Sequence, residues 1–259
     1  MSKNFGINNI GNTCYLNSAV QLLCLNPDFI NIENISNDQS IAIKKIKNTL
    51  AKISRRFNGF SQQDSGEALL LLLEHYGSKD NFNNISDYEF DEKTRIKCKY
   101  LSCLHTEITI RKSCILLLDI KGNDLDSCFS NMCDIDKLSG WKCPKCNQTK
   151  VANKRFIFSD FNKYIIIGFK RFESVRGSTR YVKNNTKIKI QNIIKTDYHI
   201  KGAIIHSGSI NGGHYIAIGK RNNKWYLFND SSVSEIKSEE QLNNYLSSSY
   251  FIMYEKKLL

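Results

Sequence analysis

Gly6-Ile7-Asn8-Asn9-Ile10-Gly11-Asn12-Thr13-Cys14-Tyr15-Leu16-Asn17-Ser18 reads as a polar loop feeding a helix, with a cysteine at the join. Beyond it, Leu16, Ala19, Val20, Leu22 and Leu23 recur at helical spacing. Asn12 and Thr13 are N-cap residue types, so Cys14 falls in the first turn, where the helix dipole and free N–H groups favour a thiolate. Gly11 lets another backbone approach closely. Asn9, five residues before the cysteine, can aim its amide at a nearby oxyanion. A cysteine at a helix start is ordinarily structural. This one becomes a candidate nucleophile because matching partners occur later in the chain.

The 259 residues, 41% hydrophobic and 24% charged, suit a globular chain with room for one large domain. The longest apolar run, Ala68 to Leu73, has six residues and cannot span a membrane, and no signal-peptide core is apparent at the start. Nine cysteines, an odd number without a secretory signal, point to free or metal-bound thiols in a reducing compartment. The expected location is therefore intracellular, in cytoplasm or nucleus. The net charge of +12 hints at an acidic partner, but the lysines are dispersed and the Lys-, Asn- and Ile-rich composition reads as a compositional bias. No nucleic-acid partner is expected.

Residues 14–25 read as the first helix, and 41–57 as a basic one buried through Ile43, Ile46, Leu50 and Ile53. A third runs to Tyr76, with Ser61 as its N-cap. Asp64 and Glu67, three apart, would share one face near its start. They serve either as capping carboxylates or as a pair presented to a cationic substrate segment. Residues 77–95 read as polar loop. Seven of the nine cysteines lie within 96–150. Cys143-x-x-Cys146 is a zinc-type knuckle, and Cys98-x4-Cys103 is its partner about forty residues away, with His105 able to replace one cysteine. The alternative is a finger that keeps its cysteines without metal. Between the pairs, Glu107–Ile110 and Cys114–Ile120 read as strands. Cys24, Cys114, Cys128 and Cys133 read as buried small hydrophobes.

Phe156–Phe158 and Tyr164–Phe169 are strand-like, the second apolar enough for a central strand covered on both faces. Residues 173–187 read as a mobile basic loop, and Ser207–Gly213 as a flexible loop gating a site. The strand starting at His214 returns through Lys224–Asp230. With a four-residue turn at 220–223, paired positions sum to 443; with a two-residue turn at Asn222-Asn223 they sum to 445. Either parity puts Asn229 on the histidine's face and Asp230 on the other. Asn229 is thus favoured over Asp230 as the residue orienting an imidazole base. A helix near Ser238–Leu246 and a strand, Tyr250–Tyr254, close the chain.

Together these blocks resemble the ubiquitin-specific protease family of cysteine deubiquitinases. Gly6–Ser18 is similar to its cysteine box and Gln62–Leu69 to its Gln-Gln-Asp helix. Lys170-Arg171-Phe172 is similar to the segment after its central strand. Tyr198–Gly208, Gly213-His214-Tyr215 and Trp225–Val233 are similar to its histidine box. The resemblance implies an α+β, papain-like fold in a single catalytic domain, 1–259, with thumb (about 1–95), fingers (about 96–150) and palm (about 151–259). It implies hydrolysis after the C-terminal Gly-Gly of ubiquitin, with ubiquitin and ubiquitinated proteins as partners of a monomer. Cys14 would be the nucleophile, His214 the base and then acid, and Asn229 the orienter, with Asp230 beside it. Asn9 would be the oxyanion donor. Asp64 and Glu67 would contact the arginine-containing tail, while Gly212 and Gly213 leave room for it. Structural zinc would sit on Cys98, Cys103, Cys143 and Cys146, with no catalytic cofactor. Gly66 and Ala68 are smaller than the family's usual residues, and Cys98-x4-Cys103 is wider than its C-x-x-C. Other readings are a protease for a ubiquitin-like modifier, a non-catalytic ubiquitin-binding module on the same fold, and a zinc-dependent nucleic-acid module. The last leaves Cys14, His214 and Asn229 unexplained.

Overall fold

A computed structural model describes residues 4–27, 29–35, 37–77, 85–100, 102–158, 160–174, 177, 181–209 and 212–257. The first helix, α1 (Cys14–Leu23), is buried along its whole length, packed between the later helix α3 (Ser65–Gly77) and a strand of the main sheet. Fully burying each of its leucines contributes about 1.5–3 kcal/mol. Two of its buried amides donate to backbone: Gln21 to the carbonyl of Phe5, and Asn17 to that of Ile7.

The basic helix, α2 (Gln39–Ile53), starts where the Asp38 side chain accepts from Ile41 N. It buries Ala42, Ile43, Ile46 and Leu50. It stops four residues earlier than its periodicity predicts, because Ser54 turns extended and Arg55–Phe57 forms a 3-10 turn that buries Phe57. Ile53 is consequently exposed. Ser61 does not cap α3. Asp64 does: its Oδ1 accepts from Gly66 N at 2.8 Å and Glu67 N at 3.0 Å. The carboxylate is a stronger acceptor for the free N–H groups than a hydroxyl three residues upstream. The small residue at Gly66 has a local reason, since a Cβ there would lie 2.3 Å from Cζ of Phe251.

From residue 90 the chain is mainly strand. The first four-stranded sheet contains β1 (Phe90–Cys98), β2 (Thr106–Ser113), β4 (Asp136–Lys142) and β5 (Thr149–Phe158), in the order β2-β1-β5-β4. Between them run the short β3 (Leu116–Leu118) and helix α4 (Leu125–Cys133). The boundaries expected at 95/96 and 150/151 fall inside β1 and β5, and part of the expected 77–95 loop is strand. Cys24, Cys114 and Cys128 are buried, whereas Cys133 is only partly so.

The second sheet holds β6 (Tyr164–Phe169), β9 (Ile193–Ile194), β10 (Tyr198–Ser209), β11 (Gly212–Arg221), β12 (Lys224–Asn229), β13 (Ser232–Ile236) and β14 (Ser249–Lys256). Their order is β13-β12-β11-β10-β14-β6-β3, with β9 paired to β10. All six residues of β6 are buried, as its apolar run requires, but the strand is next to the sheet's edge because only β3 lies beyond it. Helix α5 (Glu239–Ser247) is capped by Ser238. Part of the expected mobile loop 173–187 is a hairpin of β7 (Phe172–Ser174) and β8 (Tyr181–Lys183); 175–176 and 178–180 lie outside the described residues. Among the described residues no helix is long and apolar enough to cross a membrane.

The expected loop Ser207–Gly213 is instead mostly ladder. Ser207 pairs with His214, Gly208 with Gly213 and Ser209 with Gly212; 210–211 lie outside the described residues. The strand therefore begins at Gly212, two residues before the histidine. At its other end the two-residue turn holds. Arg221 faces Lys224 and Ala217 faces Phe228, and Asn222 and Asn223 both have positive φ, 49° and 61°. Positive φ at both central residues matches the right-handed twist of the strands.

Candidate active site

Cys14 sits in the first turn of α1, only 3% exposed. Around it the quoted loop is tied by Asn9, whose Oδ1 accepts from Gly11 N at 3.1 Å and Thr13 N at 3.0 Å. Thr13 makes no side-chain cap; its hydroxyl accepts from Ile10 N instead. The loop thus arrives at the helix already hydrogen-bonded through side chains.

The histidine side comes from the hairpin. His214 Nε2 lies 2.6 Å from Asn229 Oδ1. An amide oxygen only accepts, so Nε2 carries the proton and Nδ1 keeps its lone pair as a base. Asn229 is on the histidine's face, as strand parity requires. Asp230 turns the other way. It has φ 50°, its Oδ1 accepts from Asn17 at 2.7 Å and its Oδ2 from Asn9 at 3.0 Å. Asp230 therefore anchors the nucleophile loop rather than the imidazole. One of the two Nδ2 hydrogens of Asn9 is spent on Asp230, and the other is available to an oxyanion.

Among the described residues, Cys14 Sγ and His214 are not hydrogen-bonded to each other. The sulfur's partner is Gln62 Nε2, at 3.3 Å. Gln62 also pairs with Gly213 in both directions, donating to its carbonyl at 2.5 Å and accepting from its N–H at 2.9 Å. Sequence reasoning placed Gln62 in a family box but gave it no role. Nothing in Gln62-Gln63 tells which amide turns inward; packing decides that, and among the described residues Gln63 bonds locally, to Ser61 O.

A cleft of about 760 Å³ runs up to this point, lined by Asp64, Glu67, Gln62, Gly212, Tyr215 and Tyr250 among others. Asp64 Oδ2 accepts from Tyr250 at 2.7 Å and Tyr215 at 3.4 Å, so its carboxylate is engaged on both oxygens. Burial, reinforced by the Asp64 charge, pushes both phenols above their ordinary range. Glu67 pairs with Arg56 at 3.4 Å, an exposed contact that an incoming cation can replace. Gly212 is open, but a Cβ at Gly213 would lie 2.3 Å from His206 Nε2 and from Ser207 O. His206 is nine-tenths buried, and desolvation, with a further push from Lys183, lowers it to about 4. It is a neutral wall of the site.

The four cysteines converge away from this cleft. The Sγ atoms of Cys98, Cys103, Cys143 and Cys146 lie within 4.8 Å of one another, with Cys98–Cys146 at 3.9 Å and Cys103–Cys143 at 3.7 Å. A tetrahedron with metal–sulfur bonds of about 2.3 Å has edges of about 3.8 Å, so the donor set fits a structural metal with no open position. Burial works against the charged form of Cys143, yet the N–H groups of Cys146 and Lys145 and the neighbouring thiols hold it down to about 7. His105 is not part of the group. By contrast, burial pushes Cys24 up to about 12 and Cys114 up to about 11, as suits inert thiols.

A family model described as Ubiquitin carboxyl-terminal hydrolase matches residues 30–254. The chain belongs to that family. The ubiquitin carboxyl-terminal hydrolase Usp2 of Drosophila melanogaster is 24% identical, covering 97% of this chain and 34% of its own length. A probable ubiquitin carboxyl-terminal hydrolase 8 of Schizosaccharomyces pombe is 22% identical, covering 97% and 65%. The chain thus spans about a third and about two thirds of these relatives. The fold is also that of a SAGA Ubp8/Sgf11/Sus1/Sgf73 DUB module bound to ubiquitin aldehyde, with a TM-score of 0.80, 23% identity, and coverage of 99% of this chain and 70% of that one. The α+β, papain-like architecture of the ubiquitin carboxyl-terminal hydrolase family is therefore the architecture of this chain. The family match begins at residue 30, so the loop carrying Asn9 and Cys14 lies ahead of it.

Proposed function

We propose that this chain is a cysteine deubiquitinase that hydrolyses the peptide or isopeptide bond after the C-terminal Gly-Gly of ubiquitin. The observation that supports this reading is that Gln62, on the wall of one cleft, is hydrogen-bonded both to Cys14 Sγ and to Gly213, the residue before the His214–Asn229 pair. The tail lies between Asp64 and Glu67 on one wall and Gly212 and Gly213 on the other, where glycines pass and side chains do not. Glu67 exchanges Arg56 for an arginine of the tail.

The Cys14 thiolate attacks the scissile carbonyl. The oxyanion forms beside the α1 N-terminus, where the Cys14 N–H and the second Asn9 hydrogen stabilise it. His214, held as the Nε2–H tautomer by Asn229, takes the proton of the Cys14 thiol on Nδ1 and, as the imidazolium, delivers it to the leaving lysine amine. It then takes one from water as the thioester is hydrolysed. Asp230 contributes by holding Asn9. The fingers are the sheet of β1, β2, β4 and β5, and their four cysteines hold a structural zinc that takes no part in the chemistry.

The test is a ubiquitin probe carrying a C-terminal electrophile. The wild type is expected to form a covalent adduct and Cys14→Ala to form none while still binding ubiquitin. Adduct formation by Cys14→Ala would refute the nucleophile. No wild-type adduct with ubiquitin, but one with another Gly-Gly modifier, would reassign the substrate.

A further inference from the structure

The nucleophile and the base reach the site on different parts of the fold, Cys14 on α1 and His214 on β11. Packing of α1 on β11 sets their separation coarsely. The fine setting needs a contact spanning the two, and among the described residues one side chain is hydrogen-bonded to both the sulfur and the histidine strand. That side chain is Gln62, which stands on a third segment, the loop before α3. We infer that Gln62 is the positioning residue that fixes the histidine strand against the nucleophile and turns an N–H donor onto the sulfur.

A primary amide has the donor and acceptor of a peptide unit. Gln62 uses them as one, pairing with the N–H and the C=O of Gly213 at 2.9 and 2.5 Å. It extends the sheet's hydrogen bonding by one side chain, at the residue that precedes the base. Gly213 is also fixed from behind, since a Cβ there would meet His206 Nε2 and Ser207 O at 2.3 Å. Backbone held on both faces leaves the following residue little freedom to swing. The same Nε2 lies 3.3 Å from Cys14 Sγ, where a donor stabilises the thiolate over the thiol. The neighbouring Gln63 has the same chemistry but bonds within its own loop, so position rather than residue type makes the difference.

The inference rests on the deubiquitinase reading for its catalytic half only. Gln62→Leu keeps the side chain's bulk and removes both pairings. It is expected to lower kcat about 100-fold, because a misplacement of about 1 Å between reacting groups costs that much, while KM stays within about threefold. Independently of any ubiquitin substrate, the rate of iodoacetamide alkylation of Cys14 at pH 7, followed by mass spectrometry, is expected to fall several-fold in Gln62→Leu, which loses the donor on the sulfur. Gln62→Glu, which retains an acceptor for Gly213 N–H but puts a carboxylate beside the sulfur, is expected to lower that rate further. Melting curves identify a variant that has failed to fold, and the Glu variant then carries the test. Unchanged kcat and an unchanged alkylation rate would overturn the inference, as would a raised KM at constant kcat, which would make Gln62 a substrate contact. A wild type without deubiquitinase activity would fail the functional reading and leave the alkylation result to decide the role of Gln62.

Discussion

The β11–β12 hairpin and the four-cysteine cluster both bring distant residues together, and they do so by different physics. In the hairpin, ladder hydrogen bonds and a two-residue turn set the register, and His214 meets Asn229 at 2.6 Å as a consequence. In the cluster, β1, β4 and β5 bring two knuckles near each other, but the thiols stand within 4.8 Å of one another with no strong bond among them. Neutral thiols are weak donors and weak acceptors, so four of them crowded together gain little. The hairpin is held by its own backbone, whereas the cluster offers four ligands that a metal could join.

The comparison breaks first at the metal. The protein is expected to carry one zinc per chain by elemental analysis, and Cys143→Ser or a strong chelator should remove it. The predicted loss is several kcal/mol, since thiolate sites in small zinc peptides contribute on the order of 10 kcal/mol. Amide exchange should accelerate in β1, β2, β4 and β5 while the β10–β11–β12 ladder stays protected. A metal-free protein with an unchanged melting curve would show that the fingers sheet holds itself. The hairpin answers through catalysis. Asn229→Ala leaves the imidazole free to choose its tautomer, and kcat is expected to fall about 100- to 1000-fold. Asp230→Ala loosens Asn9 and should cost less; the reverse order in steady-state kinetics would mean that Asp230, not Asn229, orients the base.

The same contrast explains what was legible in the sequence. Asn229 could be placed on the histidine's face because strand parity is a two-state question that a two-residue and a four-residue turn answer alike. The helix positions Leu16, Ala19, Val20, Leu22 and Leu23 were legible because burial of one face imposes a period. The ladder through Ser207–Gly213 was not, because glycine and serine signal a loop wherever sheet pairing does not override them. Ser61 against Asp64 as the cap of α3 turned on three residues in a polar run, and only the packing of α3 decides it. Gln62 was invisible as a contact for the same reason. It meets Gly213 across 151 positions of chain, and no periodicity carries that information. The cysteine pairing was legible as residue types, while its tetrahedral spacing needed the sheet.

A smaller effect lies behind the hairpin. His206 is buried and lowered to about 4 by desolvation and by Lys183. In the unfolded chain it titrates near 6.5, so between these values the unfolded state binds the proton and the folded state does not. Stability is therefore intact above about pH 6.5 and falls as the pH drops towards about 4, by at most about 3 kcal/mol. Acid also strips metal from thiolates, so the measurement is the difference between wild type and His206→Phe. Denaturant titrations at pH 7 and pH 4.5 should show a steeper loss for the wild type. Parallel pH dependence in the two proteins would remove His206 from the acid response of the palm.

The smallest expected effect tests the hairpin's claim to set its own register. Asn222 and Asn223 occupy a turn in which both central residues have positive φ. Asparagine tolerates that conformation and glycine adopts it with less strain, which is why Asn-Gly leads in such turns. Asn223→Gly is therefore expected to stabilise the fold slightly, by about 0.5 kcal/mol, after the extra chain entropy of glycine is subtracted. The His214–Asn229 pair should be untouched, with kcat and its pH profile unchanged. A one-glycine insertion between Asn222 and Asn223 is the opposing control. If it shifts the returning strand by one residue, Asp230 replaces Asn229 on the histidine's face and the pH profile of kcat changes, because a carboxylate stabilises the imidazolium where an amide does not. If the insertion is absorbed as a bulge and the profile stays the same, the ladder beyond the turn, rather than the turn itself, holds the catalytic pair in register.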